Sequence, residues 1–198
     1  MSLMKQLFRK YGCEKIWHSY SDLYEADFEP MRNDPINILE VGTFRGESIN
    51  VWLEYFNNAN IYTIDTFERI APEALPMLNN VRVKYAKLDS TSKECNEHFK
   101  KLGMKFDFII DDGLHTPDGQ RKTFENLIEF TDTYYIEDVW NLEKVSMNHP
   151  WIKSHAEDFT IEKYNKLIDT ISKYKVTHHD WRSKKKQDSY ILKICKHL

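Results

Sequence analysis

Cysteine, glycine and proline are all scarce: the 198 residues include 3 Cys, 6 Gly and 6 Pro. Cys13, Cys95 and Cys195 lie far apart, are odd in number and form no CxxC pair. A disulfide framework and a thiolate zinc cluster are thereby excluded, and a reducing compartment is indicated. So few glycines and prolines leave no room for a collagen-like or low-complexity segment, and no linker or internal repeat divides the chain. An excess of one charge is missing too. Lys plus Arg is 28 against 31 for Asp plus Glu, a net charge of −3, so nothing draws the whole molecule to nucleic acid or to a membrane. In the opening stretch MSLMKQLFRKYGCEKIWHSY, Lys5, Arg9 and Lys10 break any apolar run, so neither a leader nor a membrane span is expected there, and a cytoplasmic location is.

What the chain does have is bulk: 41% hydrophobic and 14% aromatic residues, enough for a well-filled core. One domain is expected over residues 1–198, with 1–34 as a helical cap and 35–198 as a sheet core. Short apolar runs carry its organisation. Residues 36–41 (INILEV) read as a strand closed by Gly42, and 61–65 (IYTID), 81–89 (VRVKYAKLD), 106–112 (FDFIIDD) and 133–138 (TYYIED) as four more. Between them the period changes to that of helices. Ile49, Trp52, Leu53 and Phe56 follow the glycine turn at helical spacing, with Ser48 expected near the helix start, and a second helix is expected from Pro117 to Phe130. A third carries Ile161, Tyr164, Leu167, Ile168 and Ile171. Strands alternating with helices predict a mostly parallel sheet covered on both faces. The tail reads as a hairpin of 175–179 and 189–194 around the charged loop 182–186.

In an open α/β sheet the ligand lies beyond the carboxyl ends of the strands. Here those ends are acidic: Glu40, Asp65, Asp89, Asp111 with Asp112, and Glu137 with Asp138. Single carboxylates at such places are commonly helix caps, but their recurrence at every strand end favours a site. In the glycine turn, Phe44 stands where a dinucleotide fold needs glycine, and Glu47 would repel a phosphate at the helix start. A nucleoside without phosphate fits better, with Asp65 accepting from ribose hydroxyls and Glu40 and Gly42 beside a cationic group, as in S-adenosylmethionine. The run Ile109-Ile110-Asp111-Asp112-Gly113-Leu114-His115, next to Glu137-Asp138, offers hard oxygen ligands suited to Mg²⁺; the other reading is a pair of caps and a surface histidine.

Taken together, ILEVGTFRGES, NANIYTIDTF, FDFIIDDGLHTPDGQRKTFENL and YYIEDVW, preceded by YGCEKIWHSYSDLYEADF, resemble the class I S-adenosylmethionine-dependent methyltransferases. Within that family they are similar to the macrolide sugar O-methyltransferases and cephalosporin hydroxylase-like proteins. The resemblance covers about residues 10 to 140 and implies a Rossmann-like three-layer α/β sandwich, its seven-stranded, mostly parallel sheet having an antiparallel last strand. It further implies that Asp112, Glu137 and Asp138 bind Mg²⁺, that His115 is the general base, and that Glu40, Gly42, Asp65, Asp89 and Asp111 surround the methyl donor. The acceptor would be a sugar or another small hydroxylated molecule, and a homo-oligomer is compatible with the family.

The sequence departs from the family pattern in places. Leu114 replaces a usual serine, Glu129-Phe130-Thr131-Asp132 replaces two glycines before the fifth strand, and the segments that wrap the acceptor are trimmed. Tyr11, Lys15, His18 and Tyr20 either close over the site or form an amphipathic helix docked on the sheet. Trp140 is a candidate border of the acceptor pocket, whereas His178 and His179 adjoin on a strand and face opposite ways. Two other functions are weighed: a donor-binding regulatory or assembly protein without catalysis, and a dinucleotide-dependent oxidoreductase, against which Phe44 counts.

Overall fold

The structure is a computed structural model, described here for residues 1–142 and 148–196. It runs α1 (Leu3–Lys10), a 3-10 turn at Glu14–Ile16, α2 (Tyr20–Phe28), β1 (Asn37–Val41), α3 (Glu47–Tyr55), β2 (Asn60–Asp65), α4 (Leu75–Leu78) and β3 (Val83–Lys87). There follow α5 (Lys93–Leu102), β4 (Phe108–Asp111), α6 (Pro117–Leu127), β5 (Thr133–Ile136), α7 (Pro150–Ser154), α8 (Ile161–Ile171), β6 (Lys175–Asp180) and β7 (Tyr190–Cys195). Local chemistry sets the helix starts. The hydroxyls of Ser2, Thr116 and Thr160 accept from the backbone N–H groups of Lys5, Gly119 and Lys163, and Pro117 occupies the first turn of α6, where its missing N–H costs nothing. Ser48 is not the start of α3: Gly46 is, with φ +71, and Ser48 is buried. The segment before β5 replaces the expected glycines with a 3-10 turn at Ile128–Phe130, after which the Thr131 hydroxyl accepts from Thr133 N at 3.1 Å.

One sheet of seven strands has the order β3-β2-β1-β4-β5-β7-β6. Pairing is parallel from β3 through β5, and β7 runs antiparallel to both β5 and β6, as the sequence led one to expect. Val41, Asp111 and Ile136 are in register across β1, β4 and β5. Side chains alternate across a strand, so this register decides which layer each residue meets. Ile38, Ile110 and Tyr135 join a core with Met4, Phe8, Tyr24, Phe28 and Trp52 from α1, α2 and α3. Leu39, Ile109 and Tyr134 join another with Phe99, Phe124, Leu127 and Leu167 from α5, α6 and α8. Three layers result. No helix among the described residues is long and apolar enough to cross a membrane.

Candidate active site

The same alternation sorts the acidic strand ends. Glu40, two residues after Ile38, points toward the layer of α1, α2 and α3, where it is fully buried and accepts from Trp52 Nε1 at 2.7 Å. Asp112 and Glu137 follow Ile110 and Tyr135 on that same face. Between them lies Lys15 from the 3-10 turn after α1, 4% exposed, its Nζ 2.5 Å from Asp112 Oδ2, 2.5 Å from Glu137 Oε2 and 3.3 Å from Glu40 Oε1. The other Glu137 oxygen, Oε1, accepts from the Tyr24 hydroxyl. Burial pushes Glu137 and Glu40 above the usual carboxylate range, whereas for Asp112 the Lys15 and His115 partners outweigh burial and hold it well below. Burial disfavours the Lys15 ammonium, but three surrounding carboxylates more than compensate and keep it charged.

Asp138 ends the strand differently. Its φ of +53 breaks the alternation and turns its carboxylate back over the site, a conformation that aspartate tolerates better than most residues. Oδ1 accepts from the Tyr20 hydroxyl at 2.6 Å and lies 3.4 Å from His18 Nδ1, while Oδ2 lies 3.5 Å from His115 Nδ1. The other His115 nitrogen, Nε2, is buried 3.2 Å from Asp112 Oδ1 without a well-aligned hydrogen bond. Burial works against the imidazolium, yet the close carboxylate of Asp112 and the charge of Asp138 push His115 up to about 10.

Two cavities flank this wall. One, of about 300 Å³, is bordered by Lys15, His18, Tyr20, Asp112, His115, Glu137 and Asp138 and by the turn from Gly42 to Ser48. The other, of about 420 Å³, is bordered by Gly42, Asp65, Asp89, Gly113, Leu114 and Trp151. They share Gly42, Phe44, Asp112 and Gly113, the points where the turns after β1 and β4 almost touch. Of the residues singled out in the sequence, Asp112, His115, Glu137 and Asp138 converge on the first cavity, while Gly42, Asp65 and Asp89 border the second. Asp65 also braces the glycine turn, its Oδ2 accepting from Thr43 N at 2.7 Å and its Oδ1 from Phe67 N at 2.7 Å. Asp89 holds Thr91 N at 2.8 Å. Glu40 and Asp111 border neither cavity: Glu40 lies behind Lys15, and Asp111 points into the opposite layer, where Tyr134 donates to it at 3.4 Å.

Of the four N-terminal candidates, Lys15, His18 and Tyr20 face the site, whereas Tyr11 turns away to hydrogen-bond Glu54 of α3. Tyr24 was not anticipated as a site residue, although its spacing of four from Tyr20 puts both hydroxyls on one face of α2. Trp151 was missed as well. It packs edge-on to His115, stacks with Trp140 and borders the second cavity, and nothing local in the sequence marks that contact.

The donor set can be tested against a divalent ion. One ligand atom each from Asp112, His115 and Asp138 lie within 4.8 Å of one another, and carboxylate oxygens with an imidazole suit a hard or borderline cation. The residues therefore fit such an ion through Asp112 and Asp138, whereas Glu137 Oε2 is held by Lys15 Nζ at 2.5 Å. The two cavities adjoin where the turns after β1 and β4 approach, at the carboxyl ends of the parallel strands where α/β sheets bind ligands.

No family model matches the chain. Over 135 residues, 63% of this chain and 33% of the other, it is 27% identical to the 8-demethyl-8-(2-methoxy-alpha-L-rhamnosyl)-tetracenomycin-C 3′-O-methyltransferase of Streptomyces olivaceus. Its fold matches that of the MycE methyltransferase from the mycinamycin biosynthetic pathway, solved with Mg and SAH, with a TM-score of 0.70 at 20% identity over 98% of this chain and 54% of that one. An O-methyltransferase from Bacillus cereus in complex with SAH superposes with a TM-score of 0.65 at 16% identity, over 98% of this chain and 90% of that one. The chain thus spans about a third of the Streptomyces enzyme and about half of MycE. In sequence it is similar to the Streptomyces olivaceus O-methyltransferase, and its fold is shared with MycE and the Bacillus cereus O-methyltransferase.

Proposed function

We propose that the chain is an S-adenosylmethionine-dependent, Mg²⁺-assisted O-methyltransferase acting on a hydroxyl of a sugar or other small hydroxylated acceptor. The observation that carries this reading is the convergence of Asp112, His115 and Asp138 on one cavity, which shares Gly42, Asp112 and Gly113 with the cavity beside it. Gly42, Asp65 and Asp89 would receive the nucleoside of the donor, whose sulfonium supplies an electrophilic methyl group. Asp112, Glu137 and Asp138 would hold Mg²⁺, which lowers the pKa of an acceptor hydroxyl. His115 would take the hydroxyl proton as the oxygen attacks the methyl carbon and the carbon–sulfur bond breaks, leaving a neutral thioether. To serve as a base, His115 must begin neutral, so a cationic donor and a divalent ion beside it shift its pKa in the useful direction. Asp138 orients the ring through Nδ1, and Tyr20 fixes Asp138 in turn. The three unpaired cysteines suit a reducing, cytoplasmic setting.

Calorimetry with S-adenosylhomocysteine and a methyl-transfer assay over a panel of sugars and vicinal diols test the proposal. Transfer is expected to require Mg²⁺ and to vanish with a chelator. His115→Ala is expected to lose about 10²- to 10⁴-fold in rate while binding S-adenosylhomocysteine within about threefold of the parent. Failure of the parent to bind the nucleoside, or full turnover by His115→Ala, would end this reading.

A further inference from the structure

Lys15 stands in the middle of the acidic wall, and the methyl-transfer scheme has no use for it. It comes from the first 34 residues rather than from the sheet, and its ammonium is 4% exposed among Glu40, Asp112 and Glu137. Glu40 Oε1 is buried, has no hydrogen-bond partner and faces that ammonium at 3.3 Å. Desolvating so many carboxylates is costly unless a cation stands among them, and without an ion Lys15 is that cation. It grips Asp112 Oδ2 and Glu137 Oε2, two of the oxygens that a divalent ion would also seek.

We infer that Lys15 is a positioning residue, a resident counter-cation that competes with the divalent ion for Asp112 and Glu137 and so keeps ion binding weak and exchangeable. The inference rests on the reading of Asp112, Glu137 and Asp138 as the ion-holding residues. Two consequences follow from elementary electrostatics. With Lys15 in place the carboxylates are partly neutralised, so the ion gains less by entering. With a neutral side chain in its place, the same oxygens are free and their full charge acts on the ion from a few ångströms in a poorly screened interior. A merely structural lysine predicts the reverse, since its loss would loosen the cluster and weaken any ligand held there.

The test uses the full chain in buffer free of donor and acceptor, with Mn²⁺ as the probe and unbound Mn²⁺ read by electron paramagnetic resonance. Lys15→Met is expected to bind Mn²⁺ at least about tenfold more tightly than the parent, and Lys15→Arg, which keeps the charge, within about threefold of it. Free of ion, Lys15→Met should melt at a lower temperature than the parent, and Mn²⁺ should raise its melting temperature by more than it raises the parent's. Should Lys15→Met not fold, Lys15→Gln carries the same expectation with an uncharged side chain that still donates hydrogen bonds. Equal or weaker Mn²⁺ binding by the uncharged variant, or no binding by any form, overturns the inference. Because neither donor nor acceptor is present, that result would leave the methyl-transfer test above standing on its own.

Discussion

Asp111 and Asp112 leave β4 on opposite faces of the sheet, and their surroundings treat them in opposite ways. Asp112 meets Lys15 and His115 and is held well below the usual carboxylate range. Asp111 meets the apolar layer of α5, α6 and α8, and burial pushes it up to about 7, against the opposing pull of His115, the Gly113 amide and Tyr134. Its pKa in an unfolded chain is about 3.9. Between those two values the folded chain binds more protons than the unfolded one, so this carboxyl's contribution to stability falls as pH rises from about 4 to about 7 and is lost above. Asp111→Asn, which cannot ionise, is expected to gain stability relative to the parent at pH 8 and to show little gain at pH 5, as read by urea denaturation at both. An equal difference at both pH values would show that Asp111 does not titrate in this window. At this scale the sequence supplied residue types and not their roles. Asp111 and Glu40 look like ligands in the linear chain because they end strands, and only the neighbour each one meets across the layer removes them from the cavities.

The turn between β1 and α3 is the element that most directly shapes the site. Gly42 has φ +94, and a Cβ added there would stand 2.2 Å from the carbonyl oxygen of Asp112, so the turns after β1 and β4 approach as closely as they do only because that atom is missing. Gly42→Ala is expected to cost about 3 kcal/mol or more, from left-handed backbone and overpacking together, and to weaken S-adenosylhomocysteine binding by prising the two turns apart. Chemical denaturation checks the first and calorimetry the second; a loss under about 1 kcal/mol would mean that the turns separate without penalty. Phe44, two residues on, holds φ +42, so the position that dinucleotide folds give to glycine keeps a glycine-like backbone here despite its side chain. The strands, the helix after the glycine turn and the closing hairpin were legible in the sequence because their hydrophobic periods are strong. The start of α3 was misread because Ser48 has the chemistry of a cap, whereas the left-handed backbone of Gly46 starts the helix two residues earlier and leaves Ser48 buried.

Across the whole molecule, the first 34 residues and the sheet share one core. Met4, Phe8, Tyr24 and Phe28 pack with Ile38, Trp52, Phe108 and Tyr135, and Phe28 stacks on Phe108 at 4.1 Å between ring centroids. Lys15 and Tyr24 bind the same segment to the carboxylates that follow β4 and β5, Asp112 and Glu137. Thermal unfolding is accordingly expected to be a single transition, with the same midpoint by far-ultraviolet circular dichroism and by fluorescence of the 5 tryptophans. Midpoints separated by several degrees would show the N-terminal segment melting apart from the sheet. The amino-acid sequence by itself determined the alternation of strands and helices, the antiparallel closing strand and the acidic residues at the strand ends, because hydrophobic periods and turn residues act over a few positions. Tertiary structure alone decided that Lys15 stands among Glu40, Asp112 and Glu137, that Trp151 covers His115, and that Asp138 turns back toward both histidines. Those contacts join residues far apart in the chain, and their energies come from burial and charge in an interior that exists only once the layers have closed.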